Sequence, residues 1–142
     1  MRIKDNKIEI NGALIEIGMN FFDVEKAIKS VITFEGVPDV NDERGCGYIV
    51  IENESFYDLY GTVSMTFWKS TLINISIKPD WSKYSDLPDE IDKAVAVVGT
   101  RSENGLMKAF GEKIHQLKGT NVYVVPAYSR DGESYAVLIQ RV

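Results

Sequence analysis

The stretch Gly61–Trp81, GTVSMTFWKSTLINISIKPDW, carries two hydrophobic triplets, Val63/Met65/Phe67 and Ile73/Ile75/Ile77, alternating with Thr62, Ser64, Thr66, Asn74 and Ser76. Alternation at period two marks strands with one buried and one wet face, so the stretch predicts an antiparallel hairpin. Facing Phe67 with Ile73, Met65 with Ile75 and Val63 with Ile77 requires an odd turn, the three residues Lys69–Thr71 or five. A two-residue turn would slip one triplet to the wrong face. The opposite face then holds Thr62, Ser64, Thr66, Trp68, Leu72, Asn74 and Ser76, with Trp68 beside the acidic connection before the hairpin. That face is a candidate contact surface.

Working outward, KIEINGALIEI reads as a hairpin, because Asn11-Gly12 suits the two positive φ values of a type I′ turn. Ile8 then faces Ile15, Ile10 faces Ala13, and Lys7 lies opposite Glu16. Asn20 is placed to cap a helix from Phe21 to Ile32, with Asp23 three residues on and Phe21, Val24, Ile28 and Val31 at helical spacing. FEGVPDVNDERG is loop, Tyr48–Ile51 a strand, and ENESFYDLYG an acidic, aromatic connection. Beyond the hairpin, KPDWSKYSDLPDEIDK reads as a polar linker with one helical turn at Pro88, and AVAVV as a short apolar strand. Leu106, Phe110, Ile114 and Leu117 predict a second helix, capped by Ser102 and ended by Gly119. NVYVVPAY and SYAVLIQRV form a last hairpin around Asp131-Gly132. Pro126 cannot donate to a ladder, which points to an edge or a bulge there.

The expected class is α+β: an antiparallel sheet with two helices packed on one face. Each half reads strand, helix, antiparallel strands, the outline of a degenerate tandem repeat.

With 142 residues, 44% of them hydrophobic, the chain can bury a core as a single domain, residues 1–142. Cys46 is the lone cysteine and MRIKDNKIEI lacks an apolar run, so a cytoplasmic protein without disulfide or leader is expected. No 18-residue apolar run exists to cross a membrane. A net charge of −5 argues against nucleic acid as a partner. The charge is polarised: residues 35–58 carry Glu35, Asp39, Asp42, Glu43, Glu52, Glu54 and Asp58 against Arg44 alone, while residues 101–142 are net basic.

Catalytic signatures are absent. His115, the one histidine, and Cys46 are the sole candidates for a nucleophilic dyad, and RGCGY matches no nucleophile motif. DVNDERG begins like a calcium loop but places Arg44 where the turn glycine belongs and Val50 where a bidentate Glu is needed. No phosphate-binding glycine loop or serine elbow occurs. The reading is therefore non-enzymatic, with no metal and no cofactor.

What remains is surface. Interfaces favour aromatic anchors, and an acidic field speeds capture of a basic partner. Glu43, Glu52, Glu54, Tyr57, Asp58, Trp68 and Trp81 are the candidate partner-binding residues.

Gly18, Met19 and Val24 of GMNFFDV, then Gly36 and Pro38 of FEGVP, then the alternating hairpin, resemble the pattern of small bacterial modules of the beta-lactamase-inhibitor-protein type over residues 15–78. In size, acidity and lack of catalytic residues the chain is also similar to immunity proteins that neutralise bacterial toxins. Those resemblances imply a non-enzymatic inhibitor of a protein partner, a basic toxin. Two alternatives stand beside this: a small enzyme or ligand-binding domain with a pocket between sheet and helices, and a structural homodimer.

Overall fold

Two-residue turns with both central residues at positive φ set three hairpins of the chain. They are Asp5/Asn6 (50° and 62°), Asn11/Gly12 (47° and 92°) and Lys69/Ser70 (47° and 61°). Such turns match the natural twist of paired strands. The computed structural model describes residues 1–29, 46–98, 100–101, 115–117, 120–128 and 135–141.

The first two turns join β1 (Arg2–Lys4), β2 (Lys7–Ile10) and β3 (Ala13–Ile15) into a three-stranded antiparallel sheet. Ile8 faces Ile15 and Ile10 faces Ala13, as the Asn-Gly turn dictates, and Lys7 forms an ion pair with Glu16. Helix α1 (Phe21–Lys29) follows. The Asn20 side chain accepts the Phe22 amide at 2.9 Å, satisfying one of the orphan donors of its first turn. The expected continuation to Ile32 lies outside the described residues.

The larger sheet is antiparallel and seven-stranded, in the order β4 (Cys46–Phe56), β5 (Leu59–Trp68), β6 (Thr71–Pro79), β10 (Tyr135–Arg141), β9 (Val122–Tyr128), β8 (His115–Gln116), β7 (Thr100–Arg101). Helix α2 (Leu87–Val98) lies between β6 and β7 in the chain. The described chain is thus α+β with two helices, and mostly sheet. Buried residues align across the ladders: Ile51, Val63, Ile77 and Val137 in one row, Ile49, Met65, Ile75, Ile139 and Val124 in the next. Each such side chain contributes about 1.5–3 kcal/mol by leaving water. They belong to one core cluster with Ile8, Ile10 and Ile15, with Phe21, Val24 and Ile28 of α1, and with Leu87, Ile91, Ala94 and Val95 of α2.

Four expectations are corrected. The β5–β6 turn has two residues, with Trp68 paired to Thr71 and Phe67 to Leu72. Parity is restored by a bulge: the register shifts between Thr66 and Phe67, leaving Ile73 unpaired and 43% exposed while Leu72 is fully buried. Ile73 therefore leaves the core set and Leu72 joins it.

The segment ENESFYDLYG is strand, not connection; only Tyr57 and Asp58 form the turn between Phe56 and Leu59. AVAVV is the last part of α2, because Leu87, Ile91, Ala94 and Val95 recur at helical spacing and bury one side. Asp86 accepts the Asp89 amide at 3.2 Å, and Asp89 and Glu90 sit in the first turn. Three β-branched valines in five residues are what give the stretch its strand-like pattern.

His115 and Gln116 form a strand, so the predicted second helix does not reach them; residues 102–114, with its cap and body, and residues 118–119 lie outside the described residues. Pro126 sits in β9 between two neighbours, yet β8 reaches β9 only at Tyr123 and Val124. Among the described residues β9 is therefore locally an edge at its proline, where no donor is needed. The final hairpin forms as expected, with Asp131-Gly132 outside the described residues.

Candidate functional site

The tertiary structure divides the candidate residues between the two ends of the β5–β6 hairpin. Glu52, Glu54, Tyr57, Asp58 and Trp81 lie toward the β4–β5 turn. Trp68 lies nine residues along β5 from Leu59, roughly 30 Å away, and so is not beside the acidic turn. Glu43 lies outside the described residues.

At the turn end, two of the expected surface groups are engaged internally. Glu54 pairs with the Met1 ammonium at 3.1 Å, which also donates to the Ser55 carbonyl at 2.7 Å. The Tyr57 hydroxyl accepts the Ile3 amide at 3.2 Å, and its ring meets Phe56 edge-on at 4.9 Å. Both contacts tie the small sheet to the end of β4. Glu52 and Asp58 are exposed.

Trp81 is the most exposed large apolar side chain described, at 78%, and it sits on a three-residue 3-10 turn, Trp81–Lys83. Asp80, Lys83 and Tyr84 tie that turn to Tyr60 of β5. The Asp80 amide donates to the Tyr60 carbonyl at 2.8 Å. The Asp80 carboxylate receives the Ser82 hydroxyl at 2.7 Å and the Ser82 amide at 3.2 Å. Those Ser82 bonds, the hydroxyl first, hold the Asp80 carboxyl below its ordinary value. Lys83 places its ammonium 3.9 Å from the centre of the Tyr60 ring. The Tyr84 hydroxyl donates to the Asp58 carbonyl at 2.9 Å and accepts the Tyr60 amide.

Close backbone approach makes this docking possible. A Cβ on Gly61 would stand 2.1 Å from the Lys78 carbonyl oxygen and 2.7 Å from the Pro79 Cα, so only glycine fits. Across β5, β4 bulges at Asn53, whose φ is 57°. Between bulge and turn lies a cleft of about 350 Å³, lined among others by Asn53, Tyr60, Thr62, Lys78 and Asp80.

At the other end, Trp68 (43% exposed) and Tyr48 (50% exposed) stand on the face opposite the core rows. Tyr48 is directly opposite Thr66, so Trp68 is its diagonal neighbour, about 7–8 Å away.

Cys46 and His115 are on strands separated by four others, on the order of 20 Å across the sheet, a span too long for a dyad. Among the described residues no group of three or more His, Cys, Asp or Glu could hold a metal ion, and no helix is long and apolar enough to cross a membrane. Comparison of the chain with protein-family models, curated proteins and solved structures found no match.

Sequence reasoning names Trp81 as a candidate but misses what fixes its turn. Tyr84, Lys83 and Asp80 read as linker, since nothing local indicates that Tyr84 reaches back across 24 residues to Tyr60. Tyr48 was missed as the companion of Trp68, although its alternation with Ile49 already placed it on the wet face.

Proposed function

We propose that the chain is a non-enzymatic protein-binding module of the immunity type, which neutralises a basic protein partner, a bacterial toxin, in the cytoplasm. The reading rests on one observation above all: an exposed tryptophan held on a turn that buries nothing of its own. Trp81 loses little backbone freedom on binding, because Asp80, Lys83 and Tyr84 already fix the turn that carries it. Pre-ordered aromatic anchors are what interface hot spots are made of. Glu52 and Asp58 near this end, with the acidic residues 35–43 before β4, would steer a basic surface toward it. The cleft beside Asp80 is of a size to take one partner side chain.

The same reading places both helices on one face of the larger sheet, supported by their shared core cluster. It also takes the chain as a degenerate tandem repeat of strand, helix and antiparallel strands. The support is the first half, where β3, α1 and β4–β6 follow in that order, and the pairing of β6 with β10 at the middle of the sheet; the helix read for the second half lies mostly outside the described residues.

The test is capture of a binding protein from the source organism by the wild-type chain, followed by association kinetics. Trp81→Ala should weaken the complex by tenfold or more, about 1.4 kcal/mol, mainly through dissociation. Replacing Glu43, Glu52, Glu54 and Asp58 with neutral residues should slow association and flatten its salt dependence. Association that is indifferent to salt and to these changes would count against the reading.

A further inference from the structure

The core-distal face of the larger sheet carries uncharged hydrogen-bonding side chains on its β5, β6 and β10 strands. In one row Thr66 of β5 faces Asn74 of β6, which faces Gln140 of β10. In the next row Ser64 faces Ser76, with Val50 and Leu138 on either side of the pair. Asn74 Nδ2 donates to Gln140 Oε1 at 3.1 Å, leaving the Asn74 oxygen and the Gln140 nitrogen to solvent. The hydroxyls of Ser64, Thr66 and Ser76 make no hydrogen bond among the described residues. Charge first enters this face at the Thr62–Lys78 pair. Tyr48 and Trp68, both exposed, flank the first row at its β4–β5 side.

We propose that this face binds a neutral, hydroxyl-rich chain, an oligosaccharide, laid across the strands. The ligand class follows from what the ladder offers. Hydroxyls and side-chain amides both donate and accept, as does every hydroxyl of a sugar, so the two sets can satisfy each other without any charge. Aromatic rings with polar tips supply apolar platforms for the carbon-bound faces of sugar rings. A nucleic acid would require cations that the ladder lacks. A protein would find no arginine among these rows, a residue that interfaces favour. The row runs from Tyr48 through Thr66 and Asn74 to Gln140 and meets the buried Tyr123 on β9, so its open part crosses four strands, roughly 14 Å. This surface is separate from the Trp81 turn and does not depend on the immunity reading.

The experiment uses the full chain carrying Trp81→Phe, in which Trp68 is the only tryptophan. Its emission is titrated with cellohexaose, maltohexaose and chitohexaose. We expect a saturable change with at least one of them, with a Kd in the range of ~0.1–1 mM. The double substitution Asn74→Ala/Gln140→Ala, and separately Tyr48→Ala, should each weaken that binding by about tenfold while thermal melts confirm a folded protein. No saturable change with any of the three sugars up to ~10 mM would overturn the proposal. A change that survives both variants would overturn it too.

Discussion

Phe67 stands opposite Leu72 across the β5–β6 ladder, one step beyond the Trp68–Thr71 pair that closes a Lys69–Ser70 turn, and the unpaired Ile73 behind it returns Ile75 and Ile77 to the core. The same tip receives the start of α1: the Leu72 amide donates to the Met19 carbonyl at 2.8 Å, and the Phe21 amide to the Ser70 carbonyl at 2.7 Å. Phe21 and Phe67 then meet edge-on, ring centres 4.9 Å apart. One bulge thus fixes both the hairpin register and the seat of the helix.

Leu72 and Ile73 should behave as opposites. Leu72→Ala, in a fully buried site, is expected to cost about 2–5 kcal/mol, and Ile73→Ala less than about 1 kcal/mol, in urea denaturation. Equal costs would mean that the bulge lies elsewhere.

The Lys69–Ser70 turn holds two non-glycine residues at positive φ. Replacing them with Asn-Gly should raise the unfolding free energy by about 0.5–1 kcal/mol without moving other resonances of the sheet, because that pair accepts the conformation at lower cost. Destabilisation by this change would rule out a two-residue turn.

Gly61→Ala should be among the most damaging single-methyl additions in the chain. Its new Cβ meets backbone atoms of Lys78 and Pro79, which cannot turn aside as a side chain would. A loss of about 3 kcal/mol or more is expected, read as a lowered melting temperature and exposure of the Trp81 turn to protease.

Tyr84→Phe removes one hydroxyl and two hydrogen bonds, to the Asp58 carbonyl and from the Tyr60 amide. We expect a cost of about 1–2 kcal/mol and faster hydrogen exchange at the Tyr60 amide. Unchanged exchange there would show that the turn is not fastened through Tyr84.

Glu9 should titrate below an ordinary glutamate. The hydrogen bond from Arg2, 2.9 Å from Nε to Oε1, is the main cause, and Lys4 at 3.3 Å adds to it. A carboxylate lowered in the folded state stabilises above its unfolded value, and that contribution disappears as pH falls through the lowered one. NMR titration should show Glu9 shifting upward in Arg2→Ala; an unmoved titration would remove Arg2 as the cause.

The sequence alone determined whatever is settled within a few residues or one strand period. The Asn11-Gly12 turn set the Ile8–Ile15 register and the Lys7–Glu16 pair, Asn20 marked the start of α1, and alternation set the buried faces of β5 and most of β6. Trp81 could be picked out as a candidate surface residue for the same local reason. Tertiary structure decided the rest, where two local signals conflicted or the partner lay far along the chain. The bulge at Ile73 was hidden because a two-residue turn with a bulge and a longer turn without one satisfy the same hydrophobic pattern; docking of Met19 and Phe21 on the hairpin tip accompanies the first. Ala94–Val98 became helix because Ile91, Ala94 and Val95 bury together with Leu87, a gain that exceeds the β preference of three valines. The division of Trp68 from Trp81, and the fastening of Trp81 by Tyr84, depend on a hairpin about ten residues long folding back on itself, a distance over which neighbouring residues carry no information about one another.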